Sequence, residues 1–82
     1  MDLPDRINAR WIATLVDDQL ITAEAELHAV FRRQESAEKT RAGGRYVLLE
    51  GPADLVNAWQ RWSLVNNETR HRGLLARART AT

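Results

Sequence analysis

The stretch LVNAWQRWSLV, residues 55–65, decides the fold that the sequence predicts. Its aliphatic, alanine and tryptophan side chains recur three or four residues apart, which places them on one face of a helix. Gly51 and Pro52 come just before it, and proline is favoured in the first turn of a helix. We therefore predict an amphipathic helix that begins at residue 52.

The segment RYVLLE, residues 45–50, lies upstream of this helix and follows Gly43-Gly44. It is rich in strand-forming residues. An isolated strand leaves backbone groups unpaired at its edges. Three alternatives stay open for this short extended segment: it is buried in the core, it pairs with the same strand of a second copy, or it joins the sheet of a partner.

Two helices are predicted in the N-terminal half. Residues 4–17 carry apolar side chains at helical spacing, with Trp11 central to that face and Pro4 in the first turn. The run DDQLIT, residues 17–22, interrupts the pattern. Thr22 is a suitable N-cap for a second helix over residues 23–40. The two helices would form a helical hairpin.

Residues 74–78 are expected to form a short fourth helix, and residues 79–82 are expected to be disordered. The predicted fold class is thus mainly α. One small domain over residues 1–82 holds three to four helices, with an N-terminal helical hairpin, an extended segment near residues 45–50 and an amphipathic helix from residue 52.

Composition narrows the class of protein. The chain has 82 residues and no cysteine, which excludes disulfides and thiolate metal sites. It shows no signal peptide and no apolar run of membrane-spanning length, so we expect a soluble cytoplasmic protein without membrane contacts. Eleven of the twelve cationic residues are arginine, which indicates a GC-rich genome and suggests a bacterial or phage source.

Charge is unevenly distributed along the chain. Residues 1–21 contain four aspartates and two arginines, whereas residues 57–82 contain five arginines and one glutamate. This asymmetry has two possible meanings: an anionic partner for the C-terminal segment, or attraction between the acidic head and the basic tail, within one chain or between two. The acidic head consists of Asp2, Asp5, Asp17 and Asp18.

Trp59 and Trp62 present the main choice between a structural and a functional role. Aromatic rings among aliphatic residues at helical spacing are usually core. Tryptophan and arginine are also the typical hot-spot residues of protein interfaces. One ring could close the core while the other lies at a dimer interface. We predict a partner-binding surface made of Trp59, Trp62, Arg61 and Tyr46.

The arginines of the C-terminal segment support an alternative function, that of a nucleic-acid-binding accessory. Their side chains could neutralise phosphates, and binding would then weaken steeply with salt. Against this, the domain lacks the strong basicity of a dedicated nucleic-acid binder. The residues concerned are Arg70, Arg72, Arg77 and Arg79.

Signs of catalysis and of cofactor binding are weak. Glu24 and His28 share a helical face, but two side chains are too few ligands for a stable metal site. Ser36 and Ser63 have no histidine or carboxylate at a spacing that would activate them. We therefore expect no enzymatic activity, no cofactor and no metal. The leading hypothesis is a small protein-binding module that acts as an inhibitor, adaptor or regulator of a larger assembly, as a homodimer.

Overall fold

The computed structural model describes residues 1–80, and they form a helical domain with four α-helices and no strand. The helices are α1 (Ala9–Ala13), α2 (Asp17–Ala42), α3 (Ala53–His71) and α4 (Leu75–Thr80). Short 3₁₀ turns over Gly43–Arg45 and Leu48–Glu50 connect α2 to α3. The predicted class, a mainly α domain of three to four helices, is confirmed.

Helix α2 is longer than the sequence predicts. It begins at Asp17 instead of after Thr22, and its 26 residues extend along most of the 39 Å long axis of the molecule. The polar run at residues 17–19 is the first turn of this helix, where aspartates stabilise the exposed N–H groups. The Thr22 hydroxyl donates to the Asp18 carbonyl inside the helix, so the N-cap prediction for Thr22 is wrong.

Helix α1 is correspondingly short. Asn8 is its N-cap, because the Asn8 side chain accepts a hydrogen bond from the Trp11 N–H at 2.9 Å. At the other end the Thr14 hydroxyl donates to the Trp11 carbonyl at 2.6 Å. Pro4 lies before the helix instead of in its first turn. The hairpin turn between α1 and α2 is therefore at residues 14–16.

Helices α2 and α3 run antiparallel and form the centre of the domain. The larger core cluster lies toward the start of α2, where α1 and α4 also pack. Its fully buried members include Leu20, Ala23 and Val65. A smaller cluster of Phe31, Leu55 and Ala58 lies further along the helix pair. Two short helices thus cover one end of a long antiparallel pair.

The segment near residues 45–50 is extended only at Tyr46 and Val47. The residues on either side form 3₁₀ turns, so the prediction of a strand-like segment holds for this dipeptide alone. Arg79 and Thr80, which were expected to be disordered, form the last residues of α4. The other two residues of that prediction, 81 and 82, lie outside the described residues.

Candidate functional site

Trp62 joins the two core clusters. Its ring stacks on Phe31, with centroids 5.2 Å apart and planes inclined by 4°, and the His28 ring lies 5.5 Å away. The indole Nε1–H donates to Glu24 Oε1 at 2.9 Å. Both the apolar face and the polar edge of this side chain are therefore used inside the domain.

Glu24 is a charged residue in the core, and its side chain is fully buried. It accepts hydrogen bonds from Trp62 and from Arg79, which reaches it from α4, and the Asn66 side chain also favours its charged form. Burial alone raises the pKa of the Glu24 carboxyl, but these hydrogen bonds and the charge of Arg79 together hold the pKa below its ordinary value. Glu24 is therefore ionised at neutral pH.

Arg61 is also committed to an internal contact. Its Nη2 donates to the Pro4 carbonyl at 2.9 Å and so ties the N-terminal segment to α3. Its Nε is buried and has no hydrogen-bond partner in residues 1–80. Trp59 is half-buried against the small cluster of Phe31, Leu55 and Ala58. Both side chains are partly exposed, but the Arg61 guanidinium is already engaged by the Pro4 carbonyl.

Tyr46 contacts α2. Its hydroxyl donates to Glu35 Oε2 at 2.9 Å, and Lys39 Nζ lies 5.3 Å from the ring centroid. Burial, the hydrogen bond to Glu35 and the charges of Glu35 and Glu38 raise the pKa of Tyr46 to about 12. The tyrosine is therefore neutral and anchors the start of the connecting loop to the long helix.

The loop beyond Tyr46 carries two apolar side chains that the sequence analysis did not single out. Val47 is 50% exposed and Leu49 is 70% exposed, whereas Tyr46 and Leu48 are half-buried against the small cluster. Along residues 46–49, half-buried and exposed side chains alternate, and this alternation is the signal that could have identified the exposed pair. We call Tyr46, Val47, Leu49 and Trp59 the loop surface.

The C-terminal arginines are largely engaged with carboxylates of their own chain. Arg72 donates to Glu68 at 2.8 Å, to Asp17 at 3.1 Å and to the Leu15 carbonyl at 2.8 Å. Its contact with Asp17 joins the basic tail to the acidic head within one chain. Of the two possible meanings of the charge asymmetry, intramolecular attraction is thus observed.

The other three tail arginines differ in their environment. Arg77 donates to Asp18 at 3.2 Å in a pair that is well exposed to solvent. Arg79 donates to the buried Glu24. Arg70 is exposed and forms no ion pair with the described residues. The four arginines predicted to bind nucleic acid therefore do not form one open cationic surface.

A groove of about 370 Å³ lies between α1 and α3 and is mainly apolar. Ile12 and Leu64 contribute to its wall and His71 to its edge. Within residues 1–80, no three histidine, aspartate or glutamate side chains are placed to hold a metal ion. None of the helices described is long and apolar enough to span a membrane.

Comparison with protein families, with curated proteins and with solved structures gives no match for this chain.

Proposed function

We propose that this chain is a non-enzymatic protein-binding module, an inhibitor, adaptor or regulator of a larger assembly, and that it binds its partner through the loop surface. The observation that carries the proposal is the pair Val47 and Leu49, which are 50% and 70% exposed on a loop whose other apolar residues, Tyr46 and Leu48, are half-buried. Exposed apolar side chains that lie together are typical of protein-interaction sites.

Contacts with the rest of the domain fix both ends of the loop, which favours binding of a partner. Tyr46 is bound to Glu35, and a Cβ on Gly51 would lie 3.2 Å from the Leu48 carbonyl, so the loop is closely packed at both ends. A preformed loop loses less conformational entropy on binding than a mobile one. Arg45 and Glu50 are exposed beside the apolar pair. The expected partner surface is therefore an apolar pocket with charges of both signs at its edge.

The loop is expected to contribute moderately to the free energy of partner binding. Burying the exposed parts of Val47 and Leu49 is worth about 1–2 kcal/mol each, from the usual value for side chains of this size. Their combined loss would weaken binding by roughly a hundredfold. A module of this kind suits a reversible regulatory contact.

The test compares two variants in affinity capture of binding partners from a lysate of the cells in which the chain occurs. The first is Val47→Ser with Leu49→Ser. The second is Val16→Ser, a matched control because Val16 is 62% exposed in the turn before α2. A partner retained by the wild type and by the control, but lost with the loop variant, supports the proposal. Equal retention by both variants refutes the role of the loop.

The nucleic-acid hypothesis is less favoured, because Arg72, Arg77 and Arg79 already bind carboxylates of the same chain. Releasing them for phosphate contacts would break those pairs, including the one with a buried glutamate. A fluorescence-anisotropy titration against mixed-sequence DNA and RNA at low and physiological salt distinguishes the two functions. Salt-steep binding that is lost in a chain ending at Asn67 would favour nucleic acid.

Self-association and a cytoplasmic location belong to the same proposal. A small domain gains buried surface by forming a homodimer. A chain without cysteine needs no oxidising compartment to fold. Light scattering across a dilution series measures the first, and microscopy of a tagged chain measures the second. A strictly monomeric chain would remove the homodimer from the proposal and leave the loop surface unaffected.

A further inference from the structure

Helix α4 is short and packs against α2 and α3. It has six residues, too few for a stable isolated helix. Ala78 is fully buried and Leu74, just before the helix, is 7% exposed, and both belong to the larger core cluster with Leu20 and Leu27 of α2. Its helical conformation therefore depends on docking against α2.

The docking site on α2 requires an arginine. Glu24 has no exposed surface, and Arg79 supplies the positive charge that faces it. A buried carboxylate without a countercharge is strongly unfavourable. The exposed pair of Arg77 and Asp18 adds a second contact between the same two helices. A chain whose α4 has left this site exposes Glu24 and the apolar residues beneath the helix, and the vacated site favours another helix that carries an arginine.

The connection between α3 and α4 can change its conformation. Gly73 has a φ of +72°, and a Cβ built on it would meet no atom within 4 Å. The turn therefore depends on the left-handed backbone and not on side-chain packing at this residue. If Gly73 adopts helical angles, α3 and α4 become one helix over residues 53–80, about 42 Å long. Residues 74–80 are then carried away from their own α2.

From these three observations we propose that α4 is exchangeable, and that the face of α2 which it covers binds α4 of a second copy in a domain-swapped dimer. The contacts of α4 with α2 and with α3 are both remade with the second chain, so the exchange costs little beyond association itself. The interface is closed and reciprocal, which limits assembly to two chains. This inference rests on the self-association part of the proposed function and is independent of the loop surface.

Gly73→Ala is the first test. Alanine disfavours the left-handed turn of the monomer and favours the continuous helix, and the two effects together amount to about thirtyfold for each hinge. A dimer contains two hinges, so the dimer association constant should rise about a thousandfold. Gly43→Ala is the matched control, since Gly43 has a φ of +61° and equally open surroundings but does not connect α4.

Association constants come from light scattering across a dilution series of the full chain. A Gly73→Ala dimer far tighter than those of the wild type and Gly43→Ala is the expected result. A monomeric Gly73→Ala chain, or equal association of both alanine variants, would overturn the proposal.

A cross-linking experiment then distinguishes exchange from association through another surface. Asp18→Cys and Arg77→Cys are placed in separate Gly73→Ala chains, which otherwise contain no cysteine. The chains are unfolded, refolded together and treated with a short bis-maleimide, because the arginine–aspartate contact leaves the two β-carbons too far apart for a disulfide. Exchange predicts that cross-links joining the two different chains greatly exceed those between identical chains. A statistical mixture would refute exchange, and adding Val47→Ser with Leu49→Ser should leave the result unchanged.

Discussion

Replacing Arg79 with alanine should destabilise the domain far more than the same substitution at Arg77. The two arginines are two residues apart on α4, so helix propensity and position are closely matched. Arg79 faces Glu24, whose side chain has 0% exposure, whereas Arg77 faces Asp18, whose side chain is 88% exposed. The burial of the carboxylate is therefore the main difference between the two ion pairs.

The magnitude follows from the two environments. Removing one member of a buried ion pair costs about 3–5 kcal/mol, and the low end applies because Trp62 still donates to Glu24. The exposed pair should contribute about 0–1 kcal/mol. A domain of this size has a total unfolding free energy of only about 4–12 kcal/mol. Arg79→Ala should therefore lower the Tm by about 15 °C.

Urea unfolding and thermal unfolding, both followed by circular dichroism, measure the unfolding free energy and the Tm of both variants under the same conditions. The double variant Glu24→Gln with Arg79→Ala provides a further check, because a neutral amide should recover part of the loss. Equal destabilisation by Arg79→Ala and Arg77→Ala would show that the burial of Glu24 does not control the stability of this contact. Greater instability of the double variant than of Arg79→Ala would contradict the charge argument.

Three further predictions concern the pKa shifts and the core. Burial and the charge of Arg79 lower the pKa of His28 in the folded state. The neutral His28 should therefore contribute its full stabilisation above pH 6.5, and this stabilisation should be lost on acidification. His28→Gln should accordingly flatten the fall in Tm below pH 6.5. The single tyrosine, Tyr46, should titrate near pH 12 by tyrosinate absorbance, and Glu35→Gln should bring its pKa closer to 10; an unchanged value would contradict the hydrogen bond. Leu20→Ala should cost about 2–5 kcal/mol in urea unfolding, since Leu20 is fully buried, and a loss below 1 kcal/mol would place this residue in an exposed turn instead.

The helical class and the face of α3 could be predicted because their signals are local. Leu55 and Val65 are buried as their spacing indicates, and Trp62 packs between the clusters. The start of α2 could not be placed, because aspartates occur both in turns and in first helical turns. Only burial of Leu20 against α3 and α4 decides between these two interpretations.

The contacts of the candidate site could not be predicted from the sequence, because they join residues that are far apart in the chain. The hydrogen bond from Trp62 to Glu24 joins residues 38 positions apart, and the one from Arg79 to Glu24 joins residues 55 apart. A glutamate on an amphipathic helix is normally expected to face solvent. No local pattern indicates that this one lies beneath α4, or that Arg61 is tied to the Pro4 carbonyl instead of being free for a partner.

Both ends of the described chain meet the same turn of α2. The Met1 amino group lies 3.3 Å from Glu26, and Arg79 binds Glu24 two residues earlier. Glu24 and Glu26 lie on opposite sides of the helix, so a linker between the ends would have to pass around α2. New ends could be opened at Gly43-Gly44, where both glycines are exposed. Such a circular permutant would keep the α2–α3 pair and would begin with the loop surface, so a label attached there would lie far from α4.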